Sequence, residues 1–159
     1  MLVPAVLGVL ATPASGASFS NGSFSAPSPG AEWELDSSPG APWLAARFQK
    51  GEATISLAFE PSPEPDDPEQ FVREPFAVRS RELGYEERVA QPIRTAKGHR
   101  GFLLEYVDSR GRKHFAQAAI RLKRGMVSAT LTTPDDKTYE LERAAFLKMV
   151  RAIRSSRGR

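Results

Sequence analysis

The chain contains no cysteine. This absence excludes a disulfide framework, a thiol nucleophile, a zinc site with cysteine ligands and the lipid-bearing cysteine of a bacterial lipoprotein. The core must therefore be stable without covalent cross-links. With 159 residues, 40% of them apolar and nine of them phenylalanine, the chain can build such a core and has room for one domain.

Histidine is almost as scarce, since His99 and His114 are the only two. Each stands beside basic residues, Arg100 in one case and Arg112 and Lys113 in the other, which disfavours a bound cation and a carboxylate-oriented general base. We interpret both as surface histidines. The sequence therefore predicts no catalytic residue and no metal site.

Ligand-binding loops of known type are missing as well. The glycines occur singly, without the pattern of a phosphate-cradling loop. The acidic stretch from Glu60 to Glu69 lacks the spacing and the glycine of a calcium-binding loop, and prolines interrupt it. It is interpreted as a solvated loop, and no cofactor is predicted.

The main apolar run, residues 2–11, is too short for a membrane-spanning helix, which needs about 20 apolar residues. Ser15-Gly16-Ala17 follows and places small residues at the −3 and −1 positions of a signal-peptidase site. We therefore predict an export signal in residues 1–17, cleavage after Ala17 and a periplasmic or extracellular protein without a transmembrane anchor. No positive charge precedes the run, which departs from the signal pattern and suggests that the true start of the protein is displaced. The alternative is a disordered apolar tail on a cytoplasmic protein.

Charge is distributed unevenly along the chain. Residues 18–70 hold nine acidic and two basic residues, a net charge of −7, whereas residues 71–159 hold twenty basic and ten acidic residues, a net charge of +10. Such a division can create a basic face, but the two halves of one domain can also neutralise each other in the fold. We interpret most of these charges as neutralised or solvated.

The pattern after the signal predicts a linker in residues 18–29 and then strands. Period-two alternation or apolar composition marks strands around Trp33 and over residues 43–49, 53–59, 88–95, 101–107, 113–123 and 126–132. Short turns join the last three, which predicts three adjacent antiparallel strands. Residues 88–95 contain Pro92 and are predicted as an edge strand.

Two helices are predicted from start and stop signals. Asp67-Pro68 begins the first, Gly84 ends it, and Pro75 is expected to kink or break it. The second begins after Pro134 with Asp135 and Asp136 and presents an apolar stripe to the sheet, formed by Phe146, Met149, Val150 and Ile153. The fold class is therefore α+β: one domain over residues 22–155, an antiparallel sheet of about seven strands flanked by two main helices, and a basic tail at 156–159.

The order of elements and a set of spaced aromatic and glycine residues resemble the PsbP/Mog-like superfamily. The residues that carry the resemblance are Phe24-Ser25-Ala26-Pro27 before Trp33, Gly84, the strand Gly101-Phe102-Leu103-Leu104-Glu105-Tyr106, and Tyr139, Phe146 and Ile153. The resemblance implies an α/β/α sandwich used by photosystem accessory subunits, a Ran-binding protein, envelope lipoproteins and DcrB-type proteins. It implies no catalytic residue common to them.

These observations favour a monomeric, non-catalytic binding or accessory protein whose partner is another protein or an envelope component. An exported enzyme with an unrecognised site and a chaperone-like protein that cradles an apolar segment are the alternatives. Nucleic acid is not expected, since no row of aromatic residues alternates with the bases. If a charged surface binds the partner, the candidate is the predicted hairpin tip with Arg110, Arg112 and Lys113.

Overall fold

A computed structural model of the chain describes residues 14–110 and 112–156. These residues form eleven strands and two helices. In chain order they are β1 (Ala14–Ser15), β2 (Phe19–Ser20), β3 (Phe24–Ala26), β4 (Glu34–Asp36), β5 (Ala46–Lys50), β6 (Ala53–Glu60), α1 (Pro68–Leu83), β7 (Tyr85–Arg94), β8 (Arg100–Asp108), β9 (His114–Leu122), β10 (Gly125–Thr133), α2 (Asp136–Arg151) and β11 (Arg154–Ser155).

Eight antiparallel strands form the main sheet, in the order β1-β4-β5-β6-β10-β9-β8-β7. The predicted meander is confirmed, because β8 pairs with β9 and β9 pairs with β10 through short turns. Strand β7, which contains Pro92, lies at the edge of the sheet as predicted. The sheet has one strand more than expected, because the two residues of β1 pair with β4.

One helix packs on each face of the sheet, which confirms the α+β sandwich. Alternation along β8 divides the core: Phe102 and Leu104 pack with Val72 of α1, whereas Leu103 packs with Phe146 of α2. Residues 101–107 of β8 are all buried, as expected for a strand covered on both faces.

Helix α1 begins and ends as predicted. The Asp67 side chain accepts a hydrogen bond from the Gln70 N–H, Pro68 occupies the first turn, and Gly84 ends the helix with φ 70°. The helix continues through Pro75, so of the two expected outcomes, a kink or a break, the break is wrong. Leu83 is 50% exposed because it lies in the last turn, beyond the part of α1 that packs on the sheet.

Helix α2 is capped by Asp135, whose side chain accepts a hydrogen bond from the Thr138 N–H. Phe146, Met149 and Val150 are buried as predicted. Ile153 is also fully buried, but it lies beyond the end of the helix at Arg151. The helix therefore contributes a shorter stripe than expected, and the chain leaving it supplies the last core residue.

The predicted linker at 18–29 is wrong. Strands β2 and β3 lie inside it and form a second sheet with β11, in the order β11-β3-β2. Phe19 and Phe24 are buried in the core, and their rings lie 5.3 Å apart. The Ser, Gly and Pro composition indicated a linker, but burial of the two phenylalanine rings stabilises an ordered segment in its place.

Two further segments near the N-terminus differ from expectation. Trp43 was placed at the start of a strand, but β5 begins only at Ala46 and Trp43 is 73% exposed. Residues 14–17, expected in the signal, contact the domain: the Gly16 N–H donates to the Trp33 carbonyl at 2.9 Å, and the Ser15 hydroxyl donates to the Ala31 carbonyl at 2.7 Å. The remainder of the predicted signal, residues 1–13, and the end of the basic tail, residues 157–159, lie outside the described residues.

Acidic residues of the first half meet basic residues of the second in several places. Asp66 of the acidic loop pairs with Arg121 of β9 at 2.5 Å. Glu69 likewise pairs with Arg73 at 2.9 Å. The opposite arrangement also occurs: Lys50, a base of the first half, lies 2.8 Å from Glu142 of α2 and 3.0 Å from Glu32, and hydrogen bonds to the two carboxylates raise the pKa of Lys50. No helix within the described residues has both the length and the apolar character required to span a membrane.

Replacing Phe146 or Ile153 by Ala should lower the free energy of unfolding by roughly 2–5 kcal/mol, because each change removes buried apolar surface and leaves a cavity. Urea unfolding of each variant measures the loss. Leu141→Ala is the matched control, since Leu141 lies on α2 with 69% of its surface exposed and its loss should cost less than about 0.5 kcal/mol. Equal unfolding midpoints for all three variants would show that α2 does not dock on the sheet.

Candidate functional site

The hairpin tip between β8 and β9 carries the three predicted binding residues. Arg110, Arg112 and Lys113 are all exposed, and no described residue forms an ion pair with any of them. Gly111, between them, lies outside the described residues. The structure thus leaves three neighbouring cations in solvent at one end of the meander.

Asp108 organises the backbone of this tip. Its carboxylate accepts a hydrogen bond from the Arg110 N–H at 2.8 Å, and its carbonyl accepts one from the Arg112 N–H at 3.2 Å. Its own N–H donates to the Lys113 carbonyl at 2.9 Å, closing the loop. Arg112 adopts φ 60°, in the left-handed region that Gly or Asn occupies more easily.

The basic residues near the next turn, between β9 and β10, lie at the opposite end of the sheet, as the meander requires. These basic residues also differ in their contacts. Arg121 is engaged by Asp66 and by the carbonyl of Gly125, whereas Lys123 and Arg124 are exposed. The tip and the second turn therefore do not form one continuous patch.

A cleft of about 590 Å³ lies beside the tip, between β7, β8, β9 and α2. The charged and histidine side chains in its lining are Arg88, Glu105, His114, Asp136, Glu140 and Arg143, and Tyr106 and Tyr139 add two hydroxyls. The lining contains no Ser, Thr, Cys or Lys. The only side chains in it that could act as nucleophiles are therefore carboxylates, tyrosines and a histidine.

Glu105 is the most buried charged residue of this cleft, with 3% of its surface exposed. The alternation of β8 directs it toward α2, where Arg143 donates two hydrogen bonds, from Nε and from Nη2, the latter at 2.9 Å. The Tyr139 hydroxyl donates a third, so both carboxylate oxygens are occupied.

This network changes the ionisation of both of its donors. Hydrogen bonding to Glu105 raises the pKa of Arg143, and burial together with the bond to Glu105 raises the pKa of Tyr139. Neither donor can readily release its proton. The arrangement anchors α2 to the sheet and holds no group free to act as a general base.

The interpretation of His114 as a surface histidine is wrong. Its side chain is only 19% exposed, its ring centroid lies 5.2 Å from that of Tyr139, and its Nε2 lies 3.6 Å from a carboxylate oxygen of Asp136. The separation from Asp136 exceeds a hydrogen bond. Within residues 14–110 and 112–156, no three His, Asp or Glu side chains are grouped to hold a metal ion.

The sequence contains a signal for this network that residue spacing can identify. Glu105 is the one charged residue in an otherwise apolar strand interior, and Tyr139 and Arg143 are four residues apart on one face of α2. A buried carboxylate requires partners of this kind. The sequence does not show that these two elements meet, because that contact depends on the packing of the whole sandwich.

The fold matches two solved structures of low sequence identity. A cyanobacterial PsbP, CyanoP from Synechocystis sp. PCC 6803, is 16% identical, with a TM-score of 0.65 over 90% of this chain and 94% of that one. PA94 from Pseudomonas aeruginosa, described as a protein of unknown function and putative regulator, is 17% identical, with a TM-score of 0.50 over 84% and 83%. The chain therefore has the PsbP/Mog-like fold that the sequence resemblance implied.

A third match is more distant. The Ran-binding protein Mog1p of Saccharomyces cerevisiae is 14% identical, with a TM-score of 0.39 over 78% of this chain and 79% of that one. No protein-family model matches the chain, and no curated protein matches it. The likeness to CyanoP and PA94 establishes a shared fold and leaves the site to be argued from this chain's own residues.

Replacing Tyr139 by Phe should lower the free energy of unfolding by about 1–3 kcal/mol, because a buried carboxylate loses one of its donors. Tyr85→Phe is the control, since Tyr85 is a half-buried tyrosine whose hydroxyl makes no hydrogen bond to a described residue. Chemical denaturation compares the two variants. Identical unfolding midpoints would contradict an anchoring role for the Glu105 network.

Proposed function

We propose that this protein is an exported binding or accessory protein without catalytic activity, and that it contacts a protein or an envelope component through the hairpin tip. The observation that supports this most directly is the tip itself. Arg110, Arg112 and Lys113 project from the buried β8–β9 pair and have no ion-pair partner among the described residues. Such cations can meet carboxylates or phosphates without first leaving another partner.

The scaffold beneath the tip favours binding over catalysis. The tip is closed by three hydrogen bonds at Asp108 and continues into strands that are buried on both faces, so its cations have a fixed base. In the adjacent cleft, Tyr139 and Arg143 donate hydrogen bonds to both carboxylate oxygens of Glu105, which is therefore not free to react. These contacts support a non-catalytic function.

The chaperone-like alternative has less support. A cradle for an apolar segment requires a continuous apolar surface. The large apolar side chains most exposed among the described residues are Trp43, Val78, Leu83 and Leu141, which are spread over a loop and both helices. We therefore propose that the binding surface is a charged one and not an apolar one.

The proposal of export rests on the apolar run and the small residues before Ser18. Cleavage after Ala17 would remove the two residues of β1 and leave the edge of β4 unpaired, at the loss of only a two-residue pairing. The exported protein should therefore begin near Ser18 and lie outside the cytoplasm. N-terminal sequencing and cell fractionation test this, and an intact Met1 on cytosolic protein would contradict it.

The tip should determine affinity for the partner that the processed protein captures from its own envelope fraction. The variant Arg110→Ser/Arg112→Asn/Lys113→Ser removes three charges and keeps a residue that tolerates φ 60° at position 112. We expect affinity to fall about tenfold or more, since each exposed pair contributes up to about 1 kcal/mol. Wild-type affinity should also fall with added salt, because screening acts over about 8 Å at physiological ionic strength.

The control variant Arg79→Ser/Arg81→Ser/Lys148→Ser removes three exposed charges on the two helices and should bind as the wild type does. Full affinity of the tip variant, unchanged from low to high salt, would show that the tip is an ordinary solvated turn.

A further inference from the structure

A second surface, at the opposite end of the sheet from the hairpin tip, concentrates positive charge in a concave groove. The groove has a volume of about 1310 Å³ and lies between the small sheet, two turns of the main sheet and the end of α2. Lys97, Lys123, Arg124, Arg151 and Arg154 line it, and none of its lining residues is acidic. We call it the basic groove.

The five cations of the basic groove are exposed, and none forms an ion pair with a described residue. Arg73, Arg121 and Arg143, by contrast, each have a carboxylate partner. Five like charges facing one concavity repel one another, and an anionic ligand would relieve that repulsion.

Backbone hydrogen bonds fix the walls that carry these charges. The Ala96 N–H, in the turn before Lys97, donates to the Arg151 carbonyl at 2.8 Å and ties that turn to the end of α2. The Ser156 N–H donates to the Ser23 carbonyl at 3.3 Å, and Arg154 pairs with Ser25 in the small sheet. The cations therefore stand on a preformed framework.

The C-terminal end of α2 does not oppose an anion bound in the groove. The negative end of a helix dipole would ordinarily repel one. Here the last carbonyls are already engaged: the Ala152 N–H donates to those of Met149 and Val150, and Ala96 donates to that of Arg151. Arg151 adds a positive charge at the same place.

The separation of the cations requires an extended ligand. The β7–β8 turn with Lys97 and the β9–β10 turn with Lys123 and Arg124 are two strand spacings apart, about 10 Å. Arg154 lies in another sheet altogether. A single small anion cannot contact all of them, and a flat membrane surface cannot enter a concave groove.

The small sheet offers a second means of recognition. Strands β11 and β2 form its two edges, and among the described residues neither outer edge is paired. An extended peptide can hydrogen-bond to such an edge while its carboxylates reach the cations. Phe19 is the one Phe, Tyr or Trp side chain in the lining and is 6% exposed, so the groove presents no row of aromatic rings on which successive bases could stack.

We infer that the basic groove binds an extended acidic segment of a partner protein. This inference rests on the proposed binding function and adds a contact at a different surface from the hairpin tip. His99 is half-buried in the lining of the basic groove, so it is not the solvent-exposed histidine that the sequence predicted. On this inference, its side chain lies beside the bound peptide.

The test uses a synthetic probe, a fluorescent peptide of alternating Glu and Val about ten residues long, enough to span both turns at about 3.3 Å per residue. Anisotropy measures its affinity for the wild type and for Lys97→Ser/Lys123→Ser/Arg124→Ser, whose changes lie in exposed turns. We expect about ten- to a hundredfold weaker binding by this variant. The control Arg79→Ser/Arg81→Ser/Lys137→Ser loses the same charge and should retain wild-type affinity.

Amide chemical shifts identify where the probe binds. The inference is supported if the probe shifts residues 95–99, 123–124 and 152–156 and leaves the hairpin tip unchanged. It is overturned if both variants lose affinity equally, if the shifts fall elsewhere, or if only anionic vesicles or single-stranded DNA bind in a groove-dependent way. Because the probe replaces the natural partner, failure here leaves the tip experiment, and with it the proposed function, to be judged separately.

Discussion

The two-sided burial of β8 is the constraint on which the rest of the structure depends. Residues 101–107 are covered by a helix on each face, so each side chain must suit the layer that it enters. Phe102, Leu104 and Tyr106 lie in the cluster that contains Val72 of α1, whereas Leu103 lies in the cluster that contains Phe146 of α2. Gly101 has no room for a side chain, because an added Cβ would lie 2.5 Å from Ile120 and 2.7 Å from the Ala119 carbonyl. The burial of β8 also explains Glu105, which is tolerated in this layer only because α2 brings Arg143 and Tyr139 to it.

Local signals in the sequence were sufficient for much of the fold. The capping residues Asp67, Asp135 and Gly84 act over a few residues, so the starts of both helices and the end of α1 could be predicted from the residues alone. The meander followed from short turns for the same reason. The second sheet could not be found in this way, because it joins residues 24–25 with 154–155 across the whole chain. Its strands are also shorter than any periodicity can reveal.

The charges show the same division between local and distant information. The sequence gives their sign and number, and it places Arg110, Arg112 and Lys113 at one tip. It does not show which basic residues meet acids: Arg121 meets Asp66 from 55 residues away, whereas the neighbouring Lys123 and Arg124 meet none among the described residues. The grouping of Lys97 with Arg151 and Arg154 likewise required the turns, the helix end and the small sheet to be in place.

The likeness to CyanoP is a likeness of backbone. At 16% identity the two chains share a backbone over most of their lengths, as expected when burial pattern and core volume are kept while individual residues change. Exposed cations are under no such constraint, since they contribute little to the stability of the fold. A partner recognised through them is therefore specific to the chain that carries them, and a likeness in fold cannot reveal it. On the proposed function, the exposed charges at the two ends of this sheet, which have no ion-pair partner among residues 14–110 and 112–156, are the features that bear most directly on what the protein binds.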